Sequence, residues 1–243
     1  LGLALIIVAY VIGKKNGYVG ERNAFSLKEF WLSFKDAIWA LGTPIIMVGG
    51  VFGGFFTPTE SAVIAVVYAL IIGMFVYKEL KLKDLYGIFF DSARTTGNLL
   101  FIVANAALFA YVMTIENIPQ TVVQTLTSIT DNPILLLLII NLILLVAGAI
   151  METIAIIIVM VPLFMPIVEM IGMDPVVFGV IVIVNTAIGM VTPPFGLCLL
   201  TASSIAQIGV EKTLKHAFIF ITASIVVLLL ITYIPDLVTI FLR

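Results

Sequence analysis

The chain has 243 residues, of which 62% are hydrophobic and only 11% are charged. Soluble domains are closer to half apolar and a quarter charged, so this composition predicts an all-α integral membrane protein. The formal net charge of −2 argues against a nucleic-acid partner, and the single cysteine excludes a disulfide within the chain.

The N-terminal part of the chain predicts a membrane span followed by an interfacial helix. Residues 1–12 are apolar and form the end of a span, with a loop up to residue 24. Because the chain starts inside this apolar run, we expect it to be a piece of a longer polypeptide. Residues 25–40, FSLKEFWLSFKDAIWA, mix aromatic with charged side chains, which predicts an amphipathic arm helix at headgroup depth.

Residues 41–77 are apolar but too long for one straight helix. They would extend about 55 Å, whereas the hydrocarbon core of a bilayer is about 30 Å thick. The sequence GGVFGGFFTPTE interrupts the segment and ends in a predicted helix restart at Thr57, Pro58, Thr59 and Glu60. Threonine would be the N-cap, proline would occupy the first helical position, and glutamate would complete a capping box. A plain helix start explains these residues without any function, and that alternative stays open.

The middle of the chain predicts a second arm helix and one further span. Residues 80–96 form another charged amphipathic stretch, and residues 97–115 are predicted to be a membrane helix. Residues 117–130 are polar and short, so we expect them to form a connection.

Residues 134–171 are apolar again and are interrupted by GAIMET at residues 148–153. Each arm then has about 15 residues, which is short for a crossing, so the pattern predicts a re-entrant helical hairpin. Two tight full crossings remain an alternative. Glu152 at the tip would cost about 2.5–3.5 kcal/mol at the bilayer centre, so we expect it to face protein or water.

Residues 175–207 predict a broken helix with NTAIGMVTPPFG at its centre, and residues 217–234 predict the last span. Unwound backbone at membrane depth is tolerated only inside protein or beside a wet cavity. We expect Thr192 to cap a second half-helix that begins at Pro193 and Pro194. Free carbonyls before the break suit a hard cation such as sodium, and free amides after it suit an anion. The alternative is a proline kink that only shapes packing.

Lysine and arginine positions orient the predicted spans. Residues 78–94 and 212–215 contain basic side chains and are predicted to be cytoplasmic, whereas the connections 116–133 and 172–174 contain none and are predicted to be outside. The basic residues before residue 41 should also be cytoplasmic by the same rule. This is possible only if residues 41–77 enter and leave the membrane on the same side, so the topology of that segment stays open.

The sequence lacks four common motifs of enzyme active sites. It has no HExxH, GxSxG, Walker A or CxxC motif, and one histidine cannot form a two-histidine metal site. These absences argue against an enzyme, whereas the two interrupted membrane segments predict a secondary transporter without an organic cofactor. A channel, or an ion-translocating subunit of a larger complex, is the alternative, and a series of membrane carboxylates would favour it.

Two long segments resemble one transporter family. GGVFGGFFTPTESAVIAVVYAL (49–70) and VPLFMPIVEMIGMDPVVFGVIVIVNTAIGMVTPPFG (161–196) resemble the large membrane subunit of tripartite ATP-independent periplasmic (TRAP) transporters. The similarity runs from near the start of the chain to its C-terminus and covers the second half of that subunit. It implies the second inverted repeat of an elevator-type secondary transporter, with a re-entrant hairpin, a broken helix and amphipathic arm helices.

The resemblance also implies partners and a cargo. A small four-helix membrane subunit, separate or fused, would pack in the lipid bilayer of the bacterial cell inner membrane beside this multi-pass chain and the N-terminal half of the same subunit. A periplasmic substrate-binding protein would deliver a small organic acid, either sialic acid or another sugar acid, or a C4-dicarboxylate. Sodium ions rather than ATP would drive uptake.

The resemblance places the ion and substrate site at the hairpin tip and the unwound motif. The residues expected to bind the substrate are Met151, Glu152, Thr153, Asn185, Thr186 and Pro194. The residues expected to bind sodium are Gly148, Thr153, Asn185, Gly189, Thr192 and Pro193.

Overall fold

The computed structural model describes residues 1–17, 26–194 and 196–240, and within those ranges it consists of helices and connecting turns. Its α-helices are, in chain order, α1 Gly2–Lys15, α2 Leu27–Pro44, α3 Gly50–Phe52, α4 Pro58–Ile71, α5 Leu82–Ile115, α6 Ile118–Ile129, α7 Pro133–Ile150, α8 Thr153–Met170, α9 Pro175–Gly189, α10 Leu197–Ala206, α11 Val210–Tyr233 and α12 Asp236–Thr239. Among the described residues, six helical segments are long and apolar enough to cross a membrane. The prediction of an all-α integral membrane protein is therefore confirmed.

The chain divides into two compact units. One contains Leu1–Tyr18 and Leu99–Arg243, and the other contains Val19–Asn98. The second of the two boundaries, between residues 98 and 99, falls within α5. All the residues predicted to bind sodium or substrate belong to the first unit, whereas the helix restart belongs to the second.

The unit of residues Val19–Asn98 contains the helix restart that the sequence indicates. Thr57 is the N-cap of α4, and its hydroxyl accepts a hydrogen bond from the Glu60 backbone N–H at 3.3 Å. The Glu60 carboxylate accepts a hydrogen bond from the Thr57 backbone N–H at 2.8 Å, which completes the capping box. The buried Ser61 hydroxyl donates to carbonyls of the π-helical turn Ile45–Gly49, at 3.1 Å from the Met47 oxygen. These contacts explain the restart residues structurally.

Helix α5 differs from the two separate elements that the sequence predicts at residues 80–96 and 97–115. It is one continuous helix of 34 residues, so no helix ends at residue 96. The change from a charged to an apolar pattern does not interrupt the backbone hydrogen bonds of the helix. Thr95 at this boundary donates its hydroxyl to the Asp91 carbonyl at 2.9 Å, which is compatible with a continuing helix. The roles of an arm and a span remain predictions for the two halves.

Helix α9 is central in the unit that carries the candidate site. It packs against α7 and α8 on one side and against α11 on the other. Phe178 of α9 and Phe164 of α8 are both only 1% exposed and belong to one core cluster with Leu144 of α7. A second cluster joins Ile181 of α9 to Leu228 of α11. Close packing on both sides fixes where the end of α9 lies.

Helices α7 and α8 form the helical hairpin predicted for residues 134–171, and only Met151 and Glu152 separate them. Each arm has 18 residues, so the predicted arm length of about 15 is too short. The arms are longer because α7 begins at Pro133 and because α8 continues through Pro162 and Pro166. A helix of this length extends about 27 Å, so length does not decide between a re-entrant hairpin and two crossings. The re-entrant path remains a prediction.

The arm predicted for residues 25–40 does not end at residue 40, because one helical segment continues from Leu27 to Phe52. The break in the apolar segment therefore lies after Phe52, before α4 begins at Pro58.

Two boundaries after α5 also differ from the sequence predictions. Residues 117–130, predicted to be a connection, contain the helix α6, whose Leu126 is buried in the core cluster beside α8. The last span, predicted for residues 217–234, is α11 and begins at Val210, so Lys212 and Lys215 lie on a helix. Both predictions gave too much weight to polar side chains, which an amphipathic helix accommodates on its exposed face.

Candidate functional site

The hairpin tip and the end of α9 meet at a pair of glycines. Gly148, near the end of α7, faces Gly189, the last residue of α9. A Cβ atom added to Gly189 would lie 2.5 Å from the Gly148 Cα, a separation that real side chains do not adopt. A Cβ atom added to Gly148 would lie 3.3 Å from the Cα atoms of Gly189 and Thr186. The close approach of the two backbones therefore excludes a side chain at Gly189 and leaves little room for one at Gly148.

The hairpin tip presents polar groups at the start of α8. Glu152 is the N-cap of this helix, and its carboxylate accepts a hydrogen bond from the Ile154 backbone N–H at 2.7 Å. Thr153 is the first residue of α8, and its hydroxyl lies 3.7 Å from the Met190 sulfur. Both side chains are half-buried. The tip therefore contacts the residue that directly follows α9.

A cavity of about 280 Å³ lies between the hairpin tip and the unwound segment after α9. Its lining consists of residues 148–153 together with Met190 and Gly196. This volume is near the lower limit of small-molecule sites, which begin at about 300 Å³. The structure therefore brings together the predicted residues Gly148, Met151, Glu152 and Thr153, and it adds Met190 and Gly196, which the sequence analysis did not single out.

Four helix ends lie around this cavity. Helices α7 and α9 end here, at Ile150 and Gly189, and helices α8 and α10 begin here, at Thr153 and Leu197. The C-terminal end of a helix has a partial negative charge and the N-terminal end a partial positive charge. A cavity with both kinds of end suits a cation and an anion together, as in the broken helices of secondary transporters.

The unwound segment differs in detail from the prediction for Thr192, Pro193 and Pro194. Helix α10 begins at Leu197, so Thr192 is not its N-cap and neither proline occupies its first position. The Thr192 hydroxyl instead donates to the Ile188 carbonyl at 2.7 Å, which ties Thr192 to the end of α9. Both prolines are exposed and do not line the cavity.

The carbonyls at the end of α9, predicted to be free, accept hydrogen bonds in the structure. The Gly189 oxygen accepts from the Thr192 backbone N–H at 2.9 Å, and the Met190 oxygen accepts from the Cys198 backbone N–H at 3.1 Å. A carbonyl oxygen has two lone pairs, so one remains for a further partner. These carbonyls are therefore shared rather than unpaired.

Asn185 and Thr186 are buried within the helix bundle, and their side chains do not line the cavity. Asn185 is 0% exposed and donates to the Asn141 side chain of α7, and Thr186 is 1% exposed and donates to the Ile183 carbonyl at 2.9 Å. The backbone of these two residues does reach the hairpin tip, since the Asn185 oxygen and the Thr186 Cα lie beside Gly148. The sequence signal that could have indicated this pairing is Asn141, an amide inside an apolar helix.

A larger cavity also borders this segment of the chain. It has a volume of about 500 Å³ and a mostly apolar lining that includes Ile188, Val191, Leu199 and Phe220. Its chemistry suits an apolar occupant better than an organic acid, so size alone does not identify the transport site. The smaller cavity has the carboxylate, the hydroxyl and the helix ends.

A comparison with a protein-family model identifies the family of this chain. The model of the tripartite ATP-independent periplasmic transporter, DctM component, matches residues 1–237. The chain belongs to this family. The curated relatives of the chain are named as transporter permeases. The predictions of a non-enzymatic membrane protein and of the inner membrane are therefore confirmed.

Curated relatives of this TRAP family member carry several substrate names. The chain is 42% identical to an isethionate TRAP transporter permease protein of Oleidesulfovibrio alaskensis, and the match covers 96% of the chain and 37% of the relative. It is 38% identical to a C4-dicarboxylate TRAP transporter large permease protein of Pseudomonas aeruginosa, covering 97% of the chain and 55% of the relative. It is 36% identical to a sialic acid TRAP transporter large permease protein of Vibrio cholerae, and the match covers 96% of the chain and 55% of the relative. The chain thus spans about half the length of the curated relatives that it matches.

Proposed function

We propose that this chain forms the C-terminal part of a sodium-coupled TRAP permease that imports a small organic acid. The observation that carries the proposal is the contact between Gly148 and Gly189, which joins the hairpin tip to the unwound segment around one small cavity. Two interrupted helical elements that meet in this way are typical of the central binding sites of secondary transporters. The proposed coupling ion is sodium.

The cation would bind where negative charge is concentrated. The C-terminal ends of α7 and α9 and the Glu152 carboxylate lie at the cavity, and carbonyl and carboxylate oxygens are the ligands that hard cations prefer. Gly148, Gly189 and Thr192 would contribute main-chain oxygens. The Thr153 hydroxyl would complete this side of the site.

The organic acid would bind beside the cation. The N-terminal ends of α8 and α10 and the side chains of Met151 and Thr153 face the place where its carboxylate would lie. The relatives are named for isethionate, C4-dicarboxylates and sialic acid, which are all organic anions. We therefore propose the class of an organic anion, with a sugar acid such as sialic acid or a C4-dicarboxylate as the first compounds to test.

The proposed transporter needs further parts. The N-terminal half of the same subunit would supply the other half of the site, and a small four-helix membrane subunit would pack beside it. A periplasmic binding protein would deliver the substrate. An elevator movement would carry the site across the bilayer, with the amphipathic helix α2 and the start of α5 as connecting arms.

Reconstitution of the complete permease in proteoliposomes tests this function. We expect uptake of a radiolabelled organic acid to require both the binding protein and an inward sodium gradient, and to be unaffected by ATP. Uptake driven by ATP in the absence of sodium would contradict the proposal. Sodium flux that continues without substrate would favour an ion channel instead.

Thr192→Ala is expected to weaken sodium dependence. The substitution removes the hydroxyl that holds the Ile188 carbonyl at 2.7 Å, so the end of α9 loses one of its hydrogen bonds. The sodium concentration for half-maximal uptake should rise roughly three- to tenfold, in proportion to the loss of one hydrogen bond.

Two variants serve as controls for Thr192. Thr192→Ser keeps the hydroxyl and should retain most of the sodium affinity. Thr222→Ala removes the same kind of bond, from a hydroxyl to the Phe218 carbonyl at 2.9 Å, at a place on α11 that does not line the cavity. An equal effect of Thr192→Ala and Thr222→Ala on sodium dependence would count against a role for Thr192 in the site.

A further inference from the structure

Three buried polar side chains connect helices α7, α9 and α11 behind the candidate site. Asn141, Asn185 and Thr232 are 3%, 0% and 1% exposed, respectively. Asn185 Nδ2 donates to Asn141 Oδ1 at 2.7 Å, and Asn141 Nδ2 donates to Thr232 Oγ1 at 3.0 Å. Thr232 Oγ1 then donates to the Leu228 carbonyl at 2.8 Å. We call these three residues the amide chain.

The orientation of Asn185 in the amide chain is fixed by its neighbours. Its Nδ2 faces two oxygens, those of the Asn141 side chain and of the Ile181 carbonyl at 2.9 Å. A rotated Asn185 amide would place its oxygen against the Ile181 carbonyl, which cannot donate, even if Asn141 rotated with it. In this orientation Asn185 Oδ1 is buried and has no hydrogen-bond partner in the part of the chain that the structure describes. A buried unpaired carbonyl lowers stability, so the amide chain is not an arrangement that maximises stability.

The amide chain lies on the same helix–helix seam as the glycine pair. Asn141 precedes Gly148 by about two turns of α7, and Asn185 precedes Gly189 by about one turn of α9. Because Asn141 pairs with Asn185 and Gly148 meets Gly189, the two helices run in the same direction and end together at the cavity. The hydrogen bond between the amides therefore lies one to two helical turns before the close backbone contact, on the same pair of helices.

The hydrogen bond also determines which face of α9 is turned to α7. Rotation of α9 by one residue, about 100°, would turn Ile188 or Met190 toward Gly148 in place of Gly189. A Cβ atom does not fit there, as the contact at Gly148 shows. Close packing and the Gly148–Gly189 contact already restrict this rotation. The buried hydrogen bond adds a directional restraint, which apolar contacts lack.

We propose that the amide chain is a positioning device, and that Asn185 acts through the register of α9 rather than as a ligand of the transported ion or substrate. The hydrogen bond from Asn141 to Thr232 restrains in the same way which face of α11 is turned to α7. This inference rests on the proposed sodium-coupled function. It assigns a role in transport to Asn141 and Thr232. It also makes Asn185 a positioning residue instead of an expected ligand.

The double variant Asn141→Leu with Asn185→Leu tests this proposal in the complete permease with its small subunit. The two leucines remove both amides together, so neither leaves an unpaired partner, and Thr232 keeps its bond to the Leu228 carbonyl. We expect the thermal unfolding midpoint without sodium to equal or exceed that of the wild type. We also expect the sodium concentration for half-maximal thermal stabilisation to rise roughly three- to tenfold.

Control variants and outcomes separate this inference from the proposed function. Ser224→Ala removes another buried hydroxyl of α11, bonded to the Phe220 carbonyl at 2.9 Å, and should leave the sodium response unchanged. A wild type without any sodium response would reject the proposed function, and this inference with it. A normal sodium response in the double variant, or a parallel loss of stability and sodium affinity, would overturn the inference alone.

If the double variant does not fold, Thr232→Val replaces it. This change removes the acceptor of the Asn141 amide and keeps the shape of the side chain. We expect a rise of roughly twofold or more in the sodium concentration for half-maximal stabilisation. A sodium response equal to that of Ser224→Ala would overturn the proposal.

Discussion

Gly189→Ala is expected to reduce uptake by the reconstituted permease roughly tenfold or more, because overpacking at a close contact costs about 1–3 kcal/mol. The added methyl group would lie 2.5 Å from the Gly148 Cα, and the obstructing atoms are backbone, which cannot rotate away as a flexible side chain does. Helices α7 and α9 must therefore separate at the hairpin tip, and the cavity that they enclose must change shape. Initial rates of uptake under a fixed sodium gradient measure the effect.

Gly179→Ala is the matched control for this prediction. Gly179 lies on the same helix, and a Cβ atom added there would meet nothing within 4 Å. Since alanine favours helix by up to about 1 kcal/mol over glycine, this variant should be as stable as the wild type or more stable, with normal uptake. Gly148→Ala should have an intermediate effect, because its new contacts of 3.3 Å are tight but less severe. Normal uptake by Gly189→Ala would show that the transport site lies elsewhere.

Glu152→Gln is expected to reduce sodium-driven uptake strongly while membrane insertion and stability are retained. A glutamine at the N-cap still has a carbonyl oxygen that accepts the hydrogen bond from Ile154, which the glutamate accepts at 2.7 Å. What the substitution removes is the negative charge at the cavity. Loss of one charge near a bound cation should raise the sodium concentration for half-maximal uptake by about tenfold.

Two variants distinguish the charge of Glu152 from its role as a cap. Glu169→Gln neutralises an exposed carboxylate at the other end of α8 and should leave uptake unchanged. Glu152→Ala removes both the charge and the cap, so it should lower stability by about 1 kcal/mol in addition to impairing uptake. Equal losses of insertion and uptake in Glu152→Gln would instead favour a structural role for this residue.

Local signals in the sequence were sufficient for the interrupted elements. The restart at Thr57 and Glu60 depends on hydrogen bonds between residues three apart, so a short motif determines it. The hairpin turn follows from two long apolar runs separated by a small-residue tip. Family resemblance then placed the tip and the unwound motif in one site, and the structure brings Gly148 and Gly189 into contact.

The side-chain hydrogen bonds around the candidate site could not be predicted, because they depend on where the backbone folds. An amide in an apolar run usually has a function, so the sequence indicates a ligand role for Asn185. It does not indicate the side-chain hydrogen bond of Asn185 to Asn141, which is 44 positions away. Thr192 looked like the cap of the following helix, yet its hydroxyl bonds backward to Ile188. A side chain near a helix break can serve either neighbouring helix, and only the three-dimensional path of the backbone decides between them.

The glycine pair restricts how this protein can change over generations. At most helix contacts, a larger residue on one side is tolerated after a smaller one appears on the other. Here both partners already lack a side chain, so neither can become smaller to make room for a larger residue opposite it. A side chain at position 189 therefore requires the hairpin tip to move away from α9, whereas one at position 148 requires only a small shift.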